Sequence, residues 1–182
     1  MNSKINVGII GGGQLGMMML QEANFDIASY TVLESSSDCP ASPFCQKLIV
    51  GSLNDASAIE QLAAVSDVLT WEIEHINVDA LIQLEANGKK IIPKPSVLKM
   101  IQDKGAQKLF FQENNIPTAP FELVDSSMLK EVDYSKFPQN KIVVKTRTGG
   151  YDGKGVSICS KADVQNGNIP FEGSVLLEQF VA

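Results

Sequence analysis

The chain has 182 residues, 44% of them hydrophobic, which is enough for one large or two small domains with real cores. Its formal net charge of −6 argues against general binding to nucleic acid or to anionic membranes, and its single His leaves no zinc constellation. The three cysteines, Cys39, Cys45 and Cys159, are odd in number and lack paired metal spacing, so they read as reduced thiols of a cytoplasmic protein.

Met1–Lys4 leads straight into an apolar run, without a signal-peptide pattern, and no apolar run reaches the ~20 residues needed to cross a bilayer. Ile5–Ile10 reads as a strand, Gly11–Gly13 ends it, and Gln14–Ala23 reads as a helix. Tyr30–Leu33 is a second strand, closed by Glu34. This βαβ opening places G-x-G-x-x-G on Gly11, Gly13 and Gly16, with Glu34 roughly where the ribose-binding acid of a dinucleotide fold would stand. An NAD-dependent dehydrogenase is therefore one reading of this stretch, and a plain tight βα turn is another. Ser35–Phe44 is a polar loop and Leu48–Val50 a third strand. Asp55 caps a helix running to Val65, and Asp67–Thr70 is a fourth strand ending in Trp71–His75. Strand parity puts Glu72 and Glu74 on one face and leaves His75 on the other as a structural residue. Ligands of open α/β sheets sit beyond the carboxyl ends of the strands, where both Gly11–Gly16 and Trp71–His75 fall. Asp79–Glu85 is helical and Lys89–Ile92 a fifth strand, so a first domain closes near Pro95.

Ser96–Asn114 reads as a helix broken near Gln102, and Asn115–Pro120 as a connection. Phe121–Val124 is a strand, Ser126–Val132 a helix, Lys161–Gln165 a short helical turn and Ser174–Glu178 a last strand. Hairpin signals mixed with helices suggest a small α+β unit.

Between Lys141–Val144 and Val156–Cys159 lies K-T-R-T-G-G-Y-D-G-K-G, Lys145–Gly155. Gly149, Gly150, Gly153 and Gly155 let a backbone approach a ligand closely, and Lys145, Arg147 and Lys154 concentrate positive charge against the acidic trend. Bare amides and cations converging on one turn suit an anion, phosphate above all. The alternative is an ordinary basic hairpin tip. The loop is not a Walker A motif, because no Ser or Thr follows its Gly-Lys pair and it leads into a strand.

The glycine-rich loop resembles that of 5-(carboxyamino)imidazole ribonucleotide synthases, ATP-grasp enzymes of purine biosynthesis. The likeness extends to G-G-G-Q-L-G at Gly11–Gly16, W-E-I-E-H at Trp71–His75, Q-D-K at Gln102–Lys104, I-P-T-A-P-F at Ile116–Phe121 and L-E-Q-F-V at Leu177–Val181. The resemblance implies an α/β fold: a Rossmann-like pre-ATP-grasp, substrate-binding domain over 1–95, then the first part of an α+β ATP-grasp domain over 96–182. It implies a ligase that uses ATP and Mg²⁺ to carboxylate 5-aminoimidazole ribonucleotide with bicarbonate. Under it, Gln14, Leu15, Glu72 and Glu74 contact the ribonucleotide, Glu72 before Glu74. Lys104, Lys145 and the lid Gly149, Gly150, Tyr151, Asp152, Gly153, Lys154 and Gly155 contact the nucleotide, while Tyr151 and Asp152 also face bicarbonate or the acceptor amine. Glu178, Gln179, Phe180 and Val181 form the segment beside adenine. Lys108 is left as a surface residue. Relatives commonly carry Arg directly after Q-L-G, where this chain has Met17.

The resemblance stops at Ala182, ahead of the metal-binding carboxylates it implies. It therefore implies a chain inactive by itself, with an exposed apolar face prone to homodimerisation. A non-catalytic nucleotide-sensing module and a formate-dependent glycinamide ribonucleotide transformylase are the remaining alternatives.

Overall fold

The computed structural model describes residues 4–150 and 153–181. The chain divides into two compact units, Met1–Lys99 and Met100–Ala182. The division falls inside a helix, a few residues past Pro95.

The first unit is a five-stranded, all-parallel sheet in the order β3-β2-β1-β4-β5. Its strands are β1 (Ile5–Ile10), β2 (Ala28–Glu34), β3 (Lys47–Val50), β4 (Val68–Trp71) and β5 (Lys90–Ile91). Helices α1 (Gln14–Gln21), α2 (Ala56–Ala64) and α3 (Val78–Ala86) cross between them, and α4 (Pro95–Gln102) follows. Both sheet faces are buried, as parallel strands joined by crossover helices require. Alternate residues serve opposite sides. Ile10, Leu33 and Leu69 pack with Ile59, Leu62 and Leu81 of α2 and α3. Ile9 and Val32 pack with Leu20, Cys39 and Ala41 on the other side. Each fully buried aliphatic side chain contributes roughly 1.5–3 kcal/mol. Local signals agree with this packing. Asp55 caps α2 by accepting from the Ser57 amide, and Asn77 caps α3 by accepting from the Ala80 amide.

The second unit takes in the last turn of α4 and, past Asp103, α5 (Lys104–Glu113). Its sheet is antiparallel in the order β6-β9-β7-β8, from β6 (Phe121–Asp125), β7 (Lys141–Thr146), β8 (Val156–Ser160) and β9 (Ser174–Gln179), with α6 (Lys161–Gln165) after β8. The helix expected over Ser126–Val132 is instead a 3₁₀ turn, Ser126–Glu131, followed by a second at Tyr134–Lys136. Asp125 and Asp133 each cap their own turn, so the segment is cut into two pieces too short for an α-helix. Ile142, Val144, Val175 and Leu177 face a core with Leu129, Tyr134, Phe137 and Val164. Register puts Val143, Lys145, Leu176 and Glu178 on the opposite face. There α5 approaches, its Gly105 closely packed against Leu123 and its Lys108 Nζ 5.7 Å from the centroid of the Phe121 ring. Among the described residues no helix is long and apolar enough to cross a membrane.

Candidate functional site

In the first unit the carboxyl ends of β1, β2 and β4 lie together, because Ile10 pairs with both Leu33 and Trp71. The order 3-2-1-4-5 reverses between β1 and β4, so Gly11–Gly13 sit at the switch point where such folds leave a crevice. Gly11 has φ +100°, and a Cβ there would lie 2.8 Å from Glu72 Oε1. Glycine is required on both counts.

Two carboxylates occupy the turn. Glu72 Oε1 accepts from the Gly13 amide at 2.9 Å, and Glu34 Oε2 accepts from the Gly12 amide at 2.8 Å. Glu34 also accepts from the Ser35 amide and hydroxyl, both at 2.6 Å. Glu34 therefore folds back onto the turn and does not stand ready for a ribose, a correction to the dinucleotide reading. A pyrophosphate would need those amides and would meet two negative charges there. Burial pushes the Glu72 carboxyl up from its ordinary value, the Gly13 amide opposes this, and the charges of Glu34 and Glu74 add to the rise. Burial also raises Glu34, but its bonds to Ser35 and Gly12 outweigh that and leave it below the ordinary value.

Glu74 and His75 do not follow strand parity, because β4 ends at Trp71. Glu74 Oε1 lies 3.4 Å from His75 Nε2, and its carboxylate is about half exposed. Gln14 and Leu15 open α1 and both face solvent. Met17 is partly buried against the Ile9–Val32 cluster, so this position supplies packing.

In the second unit β7 and β8 flank the glycine-rich loop. The Thr146 amide donates to the Gly155 carbonyl at 2.9 Å, closing the base of the hairpin. Gly155 has φ +74°, and a Cβ there would come within 2.5 Å of Thr146 Oγ1. Gly149, Gly150, Gly153 and Lys154 complete the described part of the loop. Tyr151 and Asp152 lie outside the described residues.

Asp103 anchors the loop to α5. Its Oδ1 caps the helix by accepting from the Gly105 and Ala106 amides at 2.9 and 3.0 Å. The same carboxylate takes a two-pronged bond from Arg147, Nε to Oδ1 at 2.8 Å and one guanidinium nitrogen to Oδ2 at 2.9 Å. The Arg147 guanidinium holds Asp103 below the usual carboxylate range and is itself raised by it. The Lys104 amide donates to the Arg147 carbonyl at 2.9 Å, and its Nζ reaches the Gly150 carbonyl at 3.2 Å. Lys104 is thus aimed at the glycine loop.

Lys145 projects from β7 and pairs with Glu178 Oε2, while Lys108 pairs with Glu178 Oε1. Glu178 is 5% exposed. Burial alone would raise its carboxyl, but bonds and charges from Lys108 and Lys145 more than offset this and hold it low. Lys108 is therefore not a surface residue; α5 turns it inward onto a carboxylate that cannot be buried alone. Two signals for it stand in the sequence: Lys108 is four residues after Lys104, on the same helix face, and Glu178 interrupts an apolar strand. The Gln179 amide donates to the Pro120 carbonyl at 2.9 Å. Lys141 Nζ lies 5.4 Å from the centroid of the Phe180 ring, and Val181 is 70% exposed. Among the described residues no group of three or more His, Cys, Asp or Glu is placed to hold a metal ion.

Residues 4–102 match the ribonucleotide synthetase preATP-grasp domain, and residues 109–182 match the ATP-grasp domain. The N5-carboxyaminoimidazole ribonucleotide synthase of Brucella melitensis is 38% identical over 149 residues, covering 82% of this chain and 41% of that protein. The structure of N5-carboxyaminoimidazole synthetase from Staphylococcus aureus complexed with ADP superposes with a TM-score of 0.85 at 32% identity, over 97% of this chain and 48% of that one. The Aspergillus clavatus N5-carboxyaminoimidazole synthase in complex with ADP and 5-aminoimidazole ribonucleotide gives a TM-score of 0.81 at 27% identity, over 100% and 48%. The chain thus spans less than half the length of these relatives. Matched along both of its units, the chain belongs to the family of ribonucleotide synthetases in which a preATP-grasp domain is followed by an ATP-grasp domain.

Proposed function

We propose that the full-length protein carrying this chain uses ATP to carboxylate the amine of 5-aminoimidazole ribonucleotide with bicarbonate. Residues 1–95 serve as the acceptor-binding domain and 96–182 as the first part of the nucleotide-binding domain. The γ-phosphoryl group passes to a bicarbonate oxygen, giving carboxyphosphate and ADP. The amine nitrogen then forms a bond to the carboxyl carbon, of carboxyphosphate or of the carbon dioxide it releases. Phosphate leaves and the amine loses a proton. Catalysis of this kind is mainly positioning and charge neutralisation.

The observation that carries the reading is Lys145, raised from a central strand beside a glycine-rich turn toward which Lys104 also points. Lys145 and Lys104 would neutralise phosphate oxygens, and the loop amides of Gly149–Gly155 would close over them. The backbone of Glu178–Val181 would read the adenine edge, with Phe180 supplying apolar contact. Gln14, Leu15, Glu72 and Glu74 would hold the acceptor, Glu72 before Glu74, a carboxylate being a natural partner for its amine or hydroxyls. Tyr151 and Asp152 are assigned to bicarbonate and the amine. Mg²⁺, when bound, would offset charge on the phosphate oxygens; the described residues offer no acidic set to hold it. A cytoplasmic homodimer fits the reduced cysteines and the exposed Met18 and Met19 of α1.

The test is Lys145→Ala in the full-length protein, with ATP affinity measured calorimetrically and ADP release followed in the presence of bicarbonate and aminoimidazole ribonucleotide. Loss of one charge-assisted hydrogen bond predicts ATP binding weakened about tenfold or more. Equal affinity and equal rates in wild type and variant would refute the reading.

A further inference from the structure

Resting on that reading, we infer that Lys108 is a positioning residue for nucleotide binding: it neutralises Glu178 so that the charge of Lys145 stays available to the phosphates. The three side chains form one unit on the sheet face opposite the core. Glu178 stands on β9 and Lys145 diagonally across from it on β7, while Lys108 comes down from α5. Each carboxylate oxygen takes one lysine.

The burials separate the two lysines. The side chain of Lys108 is 12% exposed and that of Lys145 is 28% exposed. Lys108 has its donors engaged, since its Nζ also bonds Thr118 Oγ1 and lies over the Phe121 ring. It faces inward, with two of its three donors taken by Glu178 and Thr118. Lys145 is the member that solvent reaches, and one ammonium carries three donors. Among the described residues these two lysines are the charged partners of Glu178.

Charge counting gives the consequence. Two cations and one anion leave a net +1, expressed at the accessible Lys145. Remove Lys108, and Glu178 with Lys145 becomes a neutral pair, so an incoming phosphate must compete with the carboxylate for the cation that remains. Lys108 therefore affects ATP without touching it, acting through Glu178.

Lys108→Met keeps the length of the side chain and removes its charge. In the full-length protein it is expected to raise the KM for ATP roughly tenfold, the scale of leaving Glu178 uncompensated beside Lys145 in a partly shielded site. The KM for aminoimidazole ribonucleotide is expected to stay within about twofold, and Lys108→Arg to recover much of the ATP binding lost in Lys108→Met, because a guanidinium also donates charge-assisted bonds to a carboxylate. The deciding comparison is Glu178→Gln against Lys108→Met/Glu178→Gln. With the carboxylate already neutral, losing Lys108 should change ATP affinity less than about twofold, a coupling that a double-mutant cycle isolates. An equal loss of affinity in both backgrounds overturns the inference, as does unchanged ATP binding in Lys108→Met. Circular dichroism of each variant identifies any that fails to fold, in which case Lys108→Arg and the two proteins carrying Glu178→Gln decide. A wild-type protein that binds no ATP would overturn the nucleotide reading itself, a result separable from indifference to Lys108 alone.

Discussion

Asp103 holds two things at once, and substitutions can separate them. Asp103→Ala removes the cap on the Gly105 and Ala106 amides and the two-pronged bond from Arg147. Losing such a cap costs about 1 kcal/mol. The Arg147 side chain is 38% exposed, so solvent screening limits the ion pair to about 1 kcal/mol or less. The sum is about 2 kcal/mol, which for a chain of this size corresponds to a fall in Tm of about 4–8 °C. Asp103→Asn keeps a competent cap and loses only the ion pair, so its loss should be about half as large. Arg147→Leu should match Asp103→Asn, and combining the two should add little, because both remove the same interaction. Urea titration followed by circular dichroism, with hydrogen exchange at the Gly105 and Ala106 amides, measures both parts. The amides should lose protection in Asp103→Ala and keep it in Asp103→Asn. The pH dependence follows from the same geometry. Arg147 holds the Asp103 carboxyl below its ordinary 3.8, so its stabilisation is complete above that value and disappears as pH falls toward the lowered one. Arg147→Leu should flatten this acid limb. Equal stability of Asp103→Ala and Asp103→Asn, or an acid limb unchanged by Arg147→Leu, would refute the double role.

The triglycine turn supports two further predictions. The Glu72 carboxyl is raised above 4.5, so protonation favours the native state and stability declines as pH rises from that value through the raised one. Glu72→Gln keeps an acceptor for the Gly13 amide and should abolish this decline, which thermal melts across that range would reveal. Gly11→Ala meets both a φ of +100° and a carboxylate oxygen at 2.8 Å, whereas Gly88→Ala meets φ +89° with nothing within 4 Å. Gly88→Ala should cost about 1 kcal/mol and Gly11→Ala about 1–3 kcal/mol more, in chemical denaturation; equal losses would show that the contact with Glu72 contributes nothing.

Much of the architecture is legible in the chain. The runs Ile5–Ile10, Tyr30–Leu33 and Leu48–Val50 are apolar on both faces, and a parallel sheet covered by helices is what buries both. Asp55 marks its helix start, and the glycines of Lys145–Gly155 mark a hairpin because few other residues tolerate those backbone angles. The lysine on β7 and the position of the switch-point turn are readable for the same reason: local pattern and strand order suffice. What tertiary structure alone decided is where the charges go. Glu34 turns back to the Gly12 amide, Glu72 fills the turn that a pyrophosphate would need, and Lys108 leaves the surface for Glu178. Each of these pairs is separated in sequence by 22 residues or more. A buried carboxylate takes whichever donor the fold brings within reach, and only the folded chain determines that neighbour.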